Sequence, residues 1–169
     1  MRSLVVYESW FGNTRRIAEE IADALAREGQ VDLVSVDEPL PPLEEVDLLV
    51  VGAPTHVHGL SSKRSREGAL DQGAPGEPGI GVRDWIDALP DGAGGPRAAA
   101  FGTRAHKPVV LVGSAARGIA HRLRQRGYRL AAVPESFFVR GTPGPLEAGE
   151  LERAAAWGEG LANEVLSPA

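Results

Sequence analysis

Short, continuously apolar runs alternate along this chain with stretches in which apolar residues recur about every fourth position. Leu4-Val5-Val6-Tyr7 is apolar throughout, the pattern of a strand covered on both faces as in a parallel sheet. After a polar turn, Ile17, Ile21 and Leu25 repeat with Ala18 and Ala22 beside them, while Arg15, Glu19, Glu20, Asp23 and Arg27 take the other side. That spacing predicts an amphipathic helix which Gly29 ends. Residues 31–36 and 46–51 predict a second and a third strand, with residues 37–42 closing the second. From 52 to 81 the periodicity dissolves into a polar stretch rich in Gly and Pro near its end. It predicts a long loop with little regular structure, mobile over 61–81.

The pattern resumes with a short helix over 82–89, whose Trp85, Ile86 and Leu89 face one way, and a fourth strand over 98–101. Residues 108–112 are apolar but too few to separate a strand from a buried connection. Ser114 is placed to cap a helix with Ala116, Ile119, Ala120 and Leu123 inward and Arg117, Arg122, Arg124 and Arg126 outward, ended by Gly127. A fifth strand falls within 128–139, where Pro134 fits an edge position, and a last helix runs over about 146–165. Alternating strands and helices predict one α/β domain spanning 1–169, a doubly wound five-stranded parallel sheet with helices on both faces. Ligands of such sheets bind beyond the carboxyl ends of the strands, where the strand order reverses.

Composition narrows the chemistry. A length of 169 residues suits one domain with a real core, and the 43% apolar and 24% charged fractions are ordinary for a globular chain. Aromatic residues are few at 5%, so the core must lean on Val, Leu, Ile and Ala. Cysteine is absent, which removes thiolate nucleophiles, disulfide redox pairs and thiolate metal sites. Redox chemistry would therefore need a cofactor. The N-terminal apolar run is too short for a signal peptide or a membrane span, so a cytoplasmic protein is expected. The net charge of −5 argues against general nucleic-acid affinity.

Between the first strand and the first helix lies Glu8-Ser9-Trp10-Phe11-Gly12-Asn13-Thr14. Backbone N–H groups at such a turn, with the positive end of the helix dipole, suit a phosphate, and Gly12 lets the backbone approach it closely. The same Ser, Asn and Thr would also serve simply as helix caps. The spacing lacks both G-x-G-x-x-G and Gly-Lys-Ser/Thr, which disfavours dinucleotides and nucleoside triphosphates. This segment resembles the flavin mononucleotide (FMN) phosphate loop of the flavodoxin-like superfamily, commonly Ser/Thr-x-Thr-Gly-x-Thr, with Ser9, Gly12 and Thr14 in register. Phe11 replaces a hydroxyl with a ring, and in that the loop is closer to the flavodoxin-like quinone reductases.

The resemblance implies a flavodoxin-like fold of three layers, strand order 2-1-3-4-5, with FMN as cofactor. It implies that Ser9, Trp10, Phe11, Gly12, Asn13 and Thr14 meet the flavin nucleotide, and that two later loops bracket its ring. These are Pro54, Thr55, His56, Val57, His58 and Gly59 after the third strand, and Gly102, Thr103, Arg104 and His106 after the fourth. The ring-flanking aromatic residues of many flavodoxins are missing from both. The histidines lack the i, i+4 spacing of common zinc motifs, and no metal is expected. Arg15, Arg16, Lys63, Arg64, Arg66, Arg104 and Lys107 stand in these loops against Glu8 alone, and such a field would favour the anionic reduced flavin. The function implied is electron transfer, or NAD(P)H-dependent reduction of a quinone-like acceptor. The alternative is a domain that has lost FMN and serves as a binding or regulatory module. Expected partners are a redox donor or acceptor, small molecule or protein, with no nucleic acid and with homo-oligomerisation left open.

Overall fold

A computed structural model describes residues 1–39, 41–56, 59–71, 73 and 79–167. Five parallel strands, β1 (Arg2–Tyr7), β2 (Gln30–Ser35), β3 (Leu48–Pro54), β4 (Arg97–Ala105) and β5 (Glu135–Val139), form one sheet in the order β2-β1-β3-β4-β5. The helices are α1 (Asn13–Leu25), α2 (Lys63–Asp71), α3 (Val82–Asp87), α4 (Val109–Val112), α5 (Ala115–Gln125) and α6 (Glu150–Leu166). Side chains of a strand alternate between faces, so the apolar runs feed two cores. Leu4, Val6, Leu49 and Val51 pack with Trp85, Ile86, Ile119 and Leu123 on the side of α3 and α5. Val5, Leu48, Val50, Phe101 and Phe137 pack with Ile17, Ile21, Leu25 and Leu161 on the side of α1 and α6. Burial of each large aliphatic side chain contributes about 1.5–3 kcal/mol, which is why fully apolar strands end up central in the sheet.

From β1 the chain steps outward to β2 and then returns across β1 to β3. The connections after β1 and β3 therefore diverge to opposite faces, opening a crevice at the carboxyl ends of those two strands. β5 is an edge strand, and Pro134 lies just before its first residue, where no ladder hydrogen bond is lost. Ser114 caps α5, its Oγ accepting from the Arg117 N–H at 3.3 Å. The apolar run at 108–112 turns out to be the single helical turn α4.

Two expectations need correction. The stretch 52–81 is not an irregular loop throughout, because α2 occupies Lys63–Asp71. Its start is fixed by a reciprocal pair that composition conceals: the Ser65 N–H donates to Ser62 Oγ at 3.2 Å and the Ser62 N–H donates to Ser65 Oγ at 2.8 Å. Arg66, only 5% exposed, then ties α2 to Ser61 Oγ at 3.2 Å and to Asp84 of α3 at 3.1 Å. Helix α6 begins later than its apolar pattern suggests, because Leu146 bridges back to Val139 of β5. No helix among the described residues is long and apolar enough to cross a membrane.

Candidate functional site

The turn after β1 leaves an unusual number of donors free. Gly12 sits at the start of α1 with φ of 85°, a left-handed conformation that a side chain would strain, and no side chain caps the helix. Ser9 Oγ takes the Arg15 N–H at 3.2 Å. Among the described residues, the N–H groups of Trp10, Phe11, Gly12, Asn13 and Thr14 have no acceptor. Such donors at a helix start, reinforced by the helix dipole, suit an anion. Beneath them the Thr14 and Thr103 hydroxyls meet at 2.8 Å and both residues are buried. One hydroxyl of such a pair donates to the other, so one O–H remains to give away.

A cavity of about 290 Å³ opens beside this turn. Its walls come from residues 9–11, 13 and 14 after β1, from Pro54, Thr55 and His56 at the end of β3, from Ser65 and Gly68 of α2, and from Gly141, Thr142 and Pro143 after β5. The buried Glu8 carboxylate holds one wall in place, accepting from Trp10 Nε1 at 2.8 Å and from the Val82 N–H at 2.9 Å. Trp10 in turn packs with Phe11 and with Leu70 of α2. Asn13 Nδ2 donates to the Pro143 carbonyl at 2.7 Å, which spends that side chain on fastening the turn after β5.

His56 lies edge-on to Trp10, with ring centroids 6.4 Å apart. Its Nε2 is shut off from solvent and has no hydrogen-bond partner among the described residues. Burial, opposed by the Glu8 carboxylate and assisted by Arg66, lowers its pKa below the ordinary histidine value and keeps the ring neutral at pH 7. The stability linkage follows from that direction. As pH falls below about 6.5 the unfolded chain takes up a proton that folded His56 resists, so stability drops until the folded pKa is reached. An NMR titration should place the His56 midpoint below that of histidine in an unstructured peptide, and His56→Gln should flatten the stability loss between about pH 7 and pH 5. Equal midpoints would show that the ring is hydrated.

The third predicted loop does not reach the cavity. Thr103 is buried under the first turn, and Gly102 is packed so tightly that a Cβ there would lie 2.9 Å from the Ala116 nitrogen. Arg104 folds back on the carbonyls of Ala105 and Lys107, at 3.3 and 2.7 Å, and lies over the Phe138 ring. His106 stacks on the same Phe138, ring centroids 4.1 Å apart, and contacts Glu147 at 3.2 Å. Phe138 thus claims both residues. Gly59 closes a two-way backbone bridge with His56, at 2.7 and 2.8 Å, and Val57 and His58 lie outside the described residues. Gly12 sets the turn's conformation without being a wall of the cavity.

Sequence reasoning missed Ser65, Gly68, Gly141, Thr142 and Pro143. The signal for the last three was present as Gly-Thr-Pro-Gly-Pro directly after a strand, a turn at the carboxyl end of the sheet. The cationic excess of the site loops is also smaller than a count along the chain suggests. Arg15 pairs with Glu19 of its own helix at 2.7 Å, and Arg66 with Asp84 of α3 at 3.1 Å. Among the described residues, no group of three or more His, Cys, Asp or Glu is arranged to hold a metal ion.

A family model described as flavodoxin domain matches residues 4–65, which carry the β1 turn and the β3 loop. Over its whole length the chain is similar to a flavodoxin from the domain Archaea, at 23% identity and a TM-score of 0.68, covering 99% of this chain and 100% of that one. Oxidised flavodoxin 1 from Bacillus cereus matches at 20% identity and a TM-score of 0.67, covering 96% and 98%. A flavone reductase matches at 10% identity and a TM-score of 0.62, covering 98% of this chain and 63% of that one. Among curated protein sequences nothing matches. These structural likenesses, together with the strand order, show that the fold is flavodoxin-like.

Proposed function

We infer that this domain, flavodoxin-like in fold, is an FMN-dependent redox protein. The observation that carries the reading is the set of unpaired N–H groups over residues 10–14, next to the Thr14–Thr103 hydroxyl pair. Five donors facing no acceptor suit a phosphate dianion, whose oxygens accept several hydrogen bonds at once. Ser9 and Thr14 would hold that phosphate, while Trp10, Thr55 and His56 would line the space for the rest of the nucleotide. When bound, the flavin supplies one- and two-electron chemistry that the cysteine-free chain lacks. The neutral ring of His56 and the apolar Trp10 would shield that space from water without adding a charge. The donor and acceptor are redox partners of small-molecule or protein class, with a reduced nicotinamide and a quinone as the small-molecule pair.

Replacing Thr14 by Ala is expected to weaken FMN roughly ten- to hundredfold, since a hydrogen bond to a charged group is worth about 1.5–3 kcal/mol. Thr14→Ser keeps the hydroxyl and should bind within a few-fold of the parent. Fluorescence quenching of free FMN measures all three proteins. Equal affinity in the parent and Thr14→Ala would remove the hydroxyl from the site. A parent that quenches no FMN would instead support a binding or regulatory module.

A further inference from the structure

The structure assigns a docking surface for an acidic protein to the α4 tip and the outer face of α5, with the exposed Val110 and Leu111 at its centre. Between Asp91 and Glu135 the chain carries eight Lys or Arg residues and no Asp or Glu, although its net charge is −5. The remainder of the chain is accordingly strongly acidic. Some of these eight are neutralised from elsewhere, as Arg122 is by Asp87 at 2.8 Å and Arg97 is by Glu164 at 3.4 Å. Arg104, Lys107, Arg117 and Arg124 have no carboxylate partner among the described residues. Arg117 lies in the first turn of α5, at the positive end of its dipole, and close enough to Arg104 to help burial lower the Arg104 pKa. Like charges gathered without compensation cost stability, and a negative partner would relieve that cost.

Within this cationic stretch, on α4 between Lys107 and Arg117, stand Val110 and Leu111, 85% and 63% exposed. An apolar centre with a charged rim is the anatomy of a protein interface. Its place in the fold adds a second reason. The Ala115 N–H, at the junction of α4 and α5, donates to Thr55 Oγ1 at 3.0 Å, and Thr55 is a wall of the cavity. A protein docked here would sit one hydrogen bond from the site. The docking itself needs no cofactor; only its use for electron exchange rests on the flavin reading.

Other polyanions fit less well. Two exposed side chains offer less apolar surface than one acyl chain, which alone holds a protein to a membrane only marginally. A long nucleic acid would meet the acidic remainder of the molecule and would find no use for the apolar centre. A compact acidic protein meets only the favourable face.

The test uses the full chain without flavin, labelled for amide NMR and titrated with a small acidic ferredoxin. Shifts are expected to gather on residues 104–124 and to weaken at least about tenfold in affinity when salt rises from low to moderately high. Lys107→Glu with Arg117→Glu should weaken binding about tenfold or more, and Leu111→Ser should weaken it at every salt concentration. These residues are exposed, so unchanged thermal unfolding would verify that the variants fold. Absence of salt-sensitive shifts on this face, an equal response to a basic cytochrome, or tighter binding to phosphatidylglycerol vesicles or duplex DNA would each overturn the proposal. Failure of FMN to bind would leave these results standing, so the two readings are tested apart.

Discussion

Replacing Phe101 by Ala is expected to destabilise the protein by about 3–5 kcal/mol, a large part of the roughly 5–15 kcal/mol that holds a domain together. Phe101 is fully buried in β4, and its ring meets Phe137 and Trp157 edge-on, each at 6.3 Å. Phe137 and Trp157 also meet each other at 6.3 Å, so the three rings close a triangle between β4, β5 and α6. Three of the nine aromatic residues of this chain (four Phe, three Trp, two Tyr) thus meet in one place. Removing one ring leaves the other two facing a void. Gly52, the partner of Phe101 across β3 and β4, supplies a second measurement. A Cβ at Gly52 would lie 2.0 Å from the Phe101 ring, so Gly52→Ala alone should cost about 1–3 kcal/mol. In the Phe101→Ala background the added methyl should cost far less, because the atom it strikes is gone. Urea unfolding of the four proteins measures the coupling. Strictly additive losses would show that the ring does not occupy the space over Gly52.

Glu8→Ala is expected to lose about 2–6 kcal/mol of stability and to open the cavity wall. The buried carboxylate accepts from two donors, Trp10 Nε1 and the Val82 N–H, each of which costs about 1–3 kcal/mol when left buried and unpaired. With the anchor gone, Trp10 keeps its packing against Phe11, Leu70 and His56 but no hydrogen bond to Glu8. FMN affinity should therefore fall along with stability. Glu8→Gln separates the two effects, because its carbonyl can serve one donor while its NH₂ meets the other. An intermediate stability is expected, with the Trp10 Nε1 proton still slow to exchange. If Glu8→Ala unfolds at the parent's denaturant concentration, both donors have found water and the carboxylate is not what fixes the wall.

The sequence was most informative where a residue's neighbours along the chain are also its neighbours in space. Ile17, Ile21 and Leu25 lie on one helix face whatever the fold, and Ser114 caps the helix that follows it from within the same turn. The β1 turn was legible for the same reason. Gly12, the free N–H groups and Ser9 belong to one short segment, and a phosphate would be held chiefly by backbone. Helix α2 was missed because its defining pair, Ser62 and Ser65, is polar, and because Arg66 reads as a surface residue until Ser61 and Asp84 surround it.

Pattern and composition by themselves determined a single α/β sheet, a turn fit for an anion after β1, and the need for a cofactor in any redox role. Only the tertiary structure decided which residues share the cavity. Thr14 meets Thr103 across 89 positions and Asn13 meets Pro143 across 130, separations over which no local pattern carries information. Charge followed the same division. The run of cations between Asp91 and Glu135 is visible in the sequence, but which of them keep their charge uncompensated depends on carboxylates such as Asp87 and Glu164 arriving from distant helices. Periodicity fixes the face a side chain shows, whereas packing fixes what it meets there, and His106 turning to Phe138 and Glu147 instead of the cavity is the consequence.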